Sequence, residues 1–413
     1  VNAGITHAEK EKAVTSTTFE RIVTALPVDA WARRLAGVRR VLLSAADHAC
    51  LWLIEAPELA DKYRLATLVW DFNWSADALG GRLVQLRLDE DALERREALA
   101  DDVALLAPLT AAARNDRTRV LDEQVVPALS QLVRELRDSC DLLFDEGTYQ
   151  CLNQILQRLG QPATELDTAA AQRETDGEFV PVPGVSVPDD LEPARPAAHP
   201  PTEGYEWPSW KESLPEFMHA VAFGIEICAA EVCAMAIVSH PDLPAGLRVD
   251  LARQVSDEMR HCYMLLNRAA ELGVEPFSIP YDVEVWDQLR PAETLLDRLT
   301  LEQRIGEGHG LDDTANMRDQ FVARGDWRTA AVFDFITADE VIHVRSGNRW
   351  IRTLLDDSQD RVDAQESSVR AKSAALGMPV RPTPAYLNLP LRRMAGFTEQ
   401  ELDRLVDSLA DRS

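Results

Sequence analysis

Apolar residues return at steps of three and four over long stretches of this chain. Leu65, Val69, Phe72, Ala76, Leu79, Leu83 and Leu86 follow one another in this way. So do Leu121, Val125, Leu129, Leu132, Leu136 and Leu143. Such spacing puts side chains on one stripe of an α-helix. Trp31–Leu53 is a third segment of this kind, and Thr148–Leu159 a short fourth. The pattern predicts an up-down bundle of four or five helices over residues 17–160. The second half predicts four more, over about 215–238, 245–272, 292–324 and 326–355. The first of these ends ahead of His240-Pro241, where a proline disfavours helix. The second stops at Gly273, and Asp326 is placed to cap the fourth. Beyond residue 380 the chain reads as extended, then as a short last helix. Thr398 and Glu401 have the spacing of a capping box for it. The expected fold class is all-α.

Between the two helical parts the pattern breaks. Seven prolines fall between Pro181 and Pro201. That density forbids helix and disfavours the interior of a sheet. The segment is either a disordered tether or an ordered strap, with Trp207 and Trp210 as anchors where the chain re-enters the fold. The expected domains are a helical domain over 1–161, a proline-rich linker or strap over 162–211, a four-helix bundle over 212–362 and an extension over 363–413.

Charge and composition narrow the function. The chain has 413 residues, a net charge of -26 and 46% apolar residues. It can bury a large core, and its acidity repels nucleic acid. The six cysteines show no short ligand spacing and suggest a reducing compartment. The polar amino-terminal residues do not read as a signal peptide. Val221–Val238 is the most apolar run, but Glu226 and Glu231 interrupt it. It reads as a buried bundle helix and not as a membrane span. The expected location is cytoplasmic.

The chemistry lies on the four helices of the second half. Glu258 and His261 form one Glu-x-x-His pair, and Glu340 and His343 another. Residues three apart share one face of a helix. Glu226 and Glu307 supply a carboxylate from each of the other two helices. Four carboxylates and two imidazoles in this order are the ligand set of carboxylate-bridged two-metal sites in helix bundles. Glu231 is five residues past Glu226, roughly 140° around the helix, so both cannot face one site. Glu226 is chosen as ligand, with Glu231 left to pair with an arginine or with the linker. Asp257 and Asp339 each precede a ligand glutamate and could fix the tautomer of the opposite histidine. Gly306, Gly308 and Gly310 surround Glu307, which suggests a bulge, a close backbone approach or room for substrate. A tight helix crossing would explain them equally simply. His309 could orient a ligand or touch substrate if the helix is distorted. His219 is placed either on an access route or in the core. Arg345 and Arg349 either compensate the glutamates, bind a substrate carboxylate or pair at the surface.

These motifs carry a resemblance. Residues 212–355 resemble a poorly characterised ferritin-like family catalogued as a domain of unknown function. The family's histidine and glutamate seven residues apart fall on His219 and Glu226. Its DE-x-RH motif falls on Asp257, Glu258, Arg260 and His261. Its glycine-rich motif falls on Glu307, Gly308, Gly310, Leu311 and Asp312. Its E-x-x-HV-x-x-G-x-RW motif falls on Glu340, His343, Val344, Gly347, Arg349 and Trp350. The closing MAGFTEQEL also resembles the family tail. Many members carry a second glutamate where this chain has Val221. Some related N-oxygenases add a histidine where this chain has Ile336.

The resemblance implies a ferritin-like bundle holding two iron ions, with manganese as the other candidate. Glu226, Glu258, His261, Glu307, Glu340 and His343 would be both the metal and the catalytic residues, with Glu258 and Glu307 among the bridging candidates. The implied activity is a non-haem di-iron oxidase or oxygenase. It would use dioxygen to hydroxylate, desaturate or N-oxygenate a small biosynthetic substrate. Electrons would come from an external donor, because no flavin or nicotinamide motif is present. The amino-terminal domain would close the pocket, bind a carrier protein or form a homodimer. The alternative is an iron-binding or structural bundle without oxygenase activity.

Overall fold

The computed structural model describes residues 27–88, 96–142, 144–160, 177–289, 292–380 and 384–410. Residues 17–26 of the expected first bundle, Leu143 of its second stripe, residues 162–176 of the linker and residues 381–383 of the extended stretch lie outside the described residues. The chain is all-α apart from one two-stranded sheet among the described residues. It forms two compact units.

One unit holds the described residues up to Ala46 together with Asp71–Gly184. It contains the first part of α1 (Val28–Glu55), the last part of α2 (Leu59–Gln85), α3 (Val126–Asp138) and α4 (Glu146–Arg158). The predicted stripes are its core: Phe72, Ala76, Leu79 and Leu83 on α2, and Leu129, Leu132 and Leu136 on α3 are all buried. Strands β1 (Glu97–Leu99) and β2 (Phe179–Pro181) pair antiparallel, with Ala98 opposite Val180. Sequence periodicity could not foresee a ladder this short. A buried ion pair between Arg34 and Asp102 ties α1 to the residues after β1.

The other unit holds Asp47–Trp70 and Val185–Ser413. Its long helices follow the predicted pattern closely. Helix α5 (Leu214–Val221) runs through a π-helical turn, Ala222–Glu226, into α6 (Ile227–Ser239). Helix α7 spans Ala245–Glu271. A second π-helical segment, Thr300–Gly306, leads into α8 (Glu307–Ala323), and α9 spans Trp327–Leu354. Asp326 caps α9 by accepting from the Thr329 amide at 3.1 Å. The helices pack in the pairs α6–α7, α7–α9 and α8–α9. Leu214–Ser239 is long and apolar enough to cross a bilayer, but it lies almost wholly inside the fold.

The described part of the proline-rich segment is an ordered strap. The Ala194 amide donates to the Ile54 carbonyl at 2.8 Å, and the Thr202 amide to that of Tyr281 at 2.7 Å. Trp207 donates its indole N–H to Asp282 at 2.9 Å. Trp210 stands edge-on to Phe321 with Arg324 over its face. The strap also settles the partner of Glu231. That carboxylate is fully buried and meets Lys62 Nζ at 2.6 Å and Arg195 of the strap at 2.6 and 3.0 Å. Burying a lone carboxylate in so apolar a helix would be prohibitive without such partners.

After α9 come α10 (Gln359–Ala375), α11 (Leu389–Met394) and α12 (Glu399–Ala410). Arg392 of α11 reaches buried Asp312 at 2.6 Å and the Gly308 carbonyl at 2.7 Å. The capping box closes as its spacing predicts: the Thr398 amide donates to Glu401 at 2.8 Å, and the Glu401 amide to Thr398 Oγ1 at 3.3 Å. Glu401 also receives Arg304 at 2.7 Å and Arg352 at 2.8 Å.

Candidate metal centre

Six side chains from four helical segments meet in the bundle. Glu226, Glu258, His261 and Glu340 form one group of donors; Glu258, Glu307, Glu340 and His343 form a second. Within each group the donor atoms lie within 4.8 Å of one another, and all six residues are buried. These groups could hold metal ions. Glu258 and Glu340 belong to both. Glu307 belongs to one, so the shared carboxylates are those of the two Glu-x-x-His pairs. The reason is the crossing of α7 and α9, which brings each pair's glutamate to the other pair's histidine. His343 Nδ1 is 3.1 Å from Glu258, and His261 Nδ1 is 3.5 Å from Glu340.

The two imidazoles are oriented in the same crossed manner. His261 Nε2 lies 3.2 Å from Asp339, and His343 Nε2 lies 3.3 Å from Asp257. With Nε2–H donating to an aspartate, the Nδ1 lone pair faces the glutamates, which is the arrangement a metal-ligating histidine needs. Arg260 donates to both aspartates at 2.7 Å. Burial would raise the Asp339 pKa, but the hydrogen bonds from His261 and Arg260 bring it down to about 2.

The electrostatics fit cations at this place. Burial, only partly offset by His261, pushes Glu226 up to about 8. Burial, with Glu340 and Glu258 alongside, holds Glu307 well above the usual carboxylate range. Glu258 goes the other way: burial would raise it, but His343 and His261 hold it well below the usual carboxylate range. Burial alone would lower the imidazoles, yet Asp339, Glu226 and Glu258 hold His261 well above its ordinary value, and Glu258 and Glu340 do so for His343. The raised carboxyls and the raised imidazoles are both the response of a buried donor cluster to its own excess negative charge. Two divalent ions would supply four positive charges against four carboxylates.

A cavity of about 450 Å³ opens on the donors. Trp207, Phe217, Leu301, Ile305, Met317 and Phe333 form much of its apolar wall. His309 lines it, together with Gly306 and Gly310. The glycines serve different ends. Gly306 closes the π-helical segment, and a Cβ on Gly308 would rest at van der Waals distance from the Arg392 guanidinium. His219 does not line the cavity. It packs on Phe223 and Tyr281 and accepts the Phe277 amide at 3.1 Å. Seven residues would return to the same face of a regular helix, but the π-turn between His219 and Glu226 inserts about one extra residue. Arg345 and Arg349 do not face the site either. Arg345 donates to the Met394 carbonyl at 2.8 Å and Arg349 pairs with Asp250, both at the surface.

Two residues of the site escaped the sequence reading. Gln254 donates to Glu258 at 3.1 Å and to Glu307 at 2.5 Å, pinning two donors. It sits four residues before Glu258, on the same helix face, and that spacing was its only signal. Glu302 is a fifth buried glutamate and lines the cavity. Burial and the nearby Glu258 and Glu340 push it up to about 8. On a regular helix Glu302 would stand roughly 140° from Glu307. The π-helical segment turns both toward the same space.

Residues 161–403 match a family described as "Protein of unknown function (DUF455)". Among curated proteins, the chain is similar to an uncharacterized protein of Haemophilus influenzae, at 26% identity over 156 residues. That alignment covers 37% of this chain and 52% of the relative, so the chain spans about half of the relative's length. No solved structure matches the chain. The matched family covers more than half of the sequence and every donor of the candidate centre, and the chain belongs to it.

Proposed function

We propose that this protein is a ferritin-like di-iron oxidoreductase that uses dioxygen to oxidise a small organic substrate by hydroxylation, desaturation or N-oxygenation. The observation that carries the reading is the pair of donor groups sharing Glu258 and Glu340 and opening on an apolar cavity. A purely structural bundle has no need of buried, mutually repelling carboxylates beside an empty volume. Two ferrous ions would supply the electrons with which dioxygen is activated. Glu258 and Glu340 would hold both ions, with Glu226 and His261 completing one position and Glu307 and His343 the other. Asp257 and Asp339 would keep a proton on Nε2 of the opposite histidine and so leave Nδ1 to a bound ion. Gln254 holds Glu258 and Glu307 in place. The apolar wall excludes water and orients a hydrocarbon body toward the donors. His309 places an imidazole in that wall, within reach of a bound molecule. Manganese suits the same oxygen-rich shell, and redox need favours iron.

The test is anaerobic loading with ferrous ion followed by a dioxygen pulse. The proposal expects about two irons per chain and rapid oxygen uptake, sustained by a chemical reductant. Two tightly held ions with no uptake would favour the iron-binding or structural alternative.

A further inference from the structure

One group in the cavity wall is not explained by metal binding. Glu302 is only 5% exposed, lines the cavity and stays outside both donor groups. It has no hydrogen-bond or ion-pair partner among the described residues. Other buried glutamates of this unit are matched: Glu231 by Lys62 and Arg195, and Glu401 by Arg304 and Arg352. Its neighbours on the π-helical segment are committed elsewhere. Gln303 reaches Gln254 at 3.4 Å, and Arg304 reaches Glu401 at 2.7 Å. An unpaired buried carboxyl is costly and persists where a ligand completes it.

The rest of the wall says what that ligand is. Among the described residues no lysine or arginine lines the cavity. Two divalent ions would balance Glu226, Glu258, Glu307 and Glu340 and leave Glu302 uncompensated. A carboxylate or phosphate on the substrate would be repelled at Glu302. A neutral molecule could offer Glu302 a hydrogen bond but no balancing charge. An ammonium group would form a charge-assisted hydrogen bond with it, wherever the shared proton starts. The volume of about 450 Å³ is at the small end for ligand sites, and its apolar wall takes a hydrocarbon body.

We propose that Glu302 is the recognition group for a substrate amine, so that this site takes small apolar molecules bearing a primary ammonium group. This rests on the metal-site reading for the place of the reaction, but not for the binding of the amine.

The experiment compares hexylamine, hexan-1-ol and hexanoate as calorimetric probes. It uses the full chain loaded with zinc, which is redox-inert, and measures metal content on the same samples. Wild type should bind hexylamine at least about tenfold more tightly than hexan-1-ol, with no detectable hexanoate binding. Glu302→Gln should keep its metal and its hexan-1-ol affinity while losing the amine preference. Glu302→Asp should retain part of that preference. Equal binding of amine and alcohol by wild type would overturn the proposal. So would a full preference in Glu302→Gln, which would assign the amine to the metal or another carboxylate. Loss of metal in Glu302→Gln alone would make Glu302 a ligand and overturn it as well. If wild type holds no metal, the metal-site reading fails, and the amine-to-alcohol ratio of the metal-free protein still decides the role of Glu302.

Discussion

His261 Nε2 lies 3.2 Å from Asp339, which sits on the neighbouring helix beside the other motif's glutamate. His343 and Asp257 make the reciprocal contact at 3.3 Å. Each Asp-Glu pair therefore serves both halves of the centre: the glutamate as donor, the aspartate as the orienting group of the opposite histidine. Replacing Asp257 or Asp339 with asparagine should weaken metal binding by about tenfold to a hundredfold. Helical content should stay unchanged. Competition with a chelator measures the first and circular dichroism the second. Unaltered affinity in both variants would remove the aspartates from the site.

A buried ion cluster holds the strap to the bundle. Glu231→Gln leaves Lys62 and Arg195 facing each other in the interior. The lysine already feels this environment: burial, partly opposed by Glu231, lowers it to about 8. Loss of the carboxylate should cost about 3–5 kcal/mol of stability. Metal content should not change, since Glu231 faces away from the donors. Urea unfolding with elemental analysis of the folded protein tests both parts. Loss of metal without loss of stability would contradict the division of labour between Glu226 and Glu231.

Gly347 marks the closest approach of α9 to the π-helical segment. A Cβ there would collide with the Cβ of Gln303 and press on its backbone carbon. The helix cannot slide, because Glu340 and His343 lie on the same element. Gly347→Ala should destabilise the protein by about 1–3 kcal/mol. Thermal unfolding reads the effect, and an unchanged midpoint would show that the crossing is looser than the geometry requires.

His219 gives the pH dependence a distinct component. Burial lowers its pKa from 6.5 to about 4. The Phe223 and Tyr281 rings and the Phe277 amide around it offer no negative charge to an imidazolium. The unfolded chain takes up this proton first as pH falls. The stabilising contribution is therefore complete above pH 6.5 and is lost as pH drops toward 4, by about 2 kcal/mol. Glutamine can still accept the Phe277 amide and does not titrate. Between pH 7.5 and 4.5 wild type should lose about that much more stability than His219→Gln. Parallel pH profiles would contradict the assignment.

The legible parts of the fold were those with regular helical period. The stripes on α2 and α3 and the ends of α6, α7 and α9 follow from spacing, proline and capping residues alone. The two Glu-x-x-His pairs were legible for the same reason, since a three-residue step shares a face, whereas Glu226 was preferred to Glu231 chiefly by its spacing from His219 in the family pattern. What spacing could not show was where the period fails. At a uniform 100° per residue Glu302 gave no signal and His219 stayed undecided between an access route and the core, because a π-turn stands between each and its neighbouring ligand. The glycines around Glu307 pointed to a distortion without giving its direction. Proline density could not separate tether from strap. Arg195 could have done so, as a positive charge available to a glutamate buried far along the chain.

The central claim is a dinuclear metal centre built from Glu226, Glu258, His261, Glu307, Glu340 and His343. Metal stoichiometry by elemental analysis, on freshly purified protein and after anaerobic ferrous loading, tests it most directly. About two ions per chain in wild type are expected, falling below half occupancy in Glu258→Ala and His343→Ala with helical content retained. No metal in wild type after loading, or full occupancy in both variants, would contradict it.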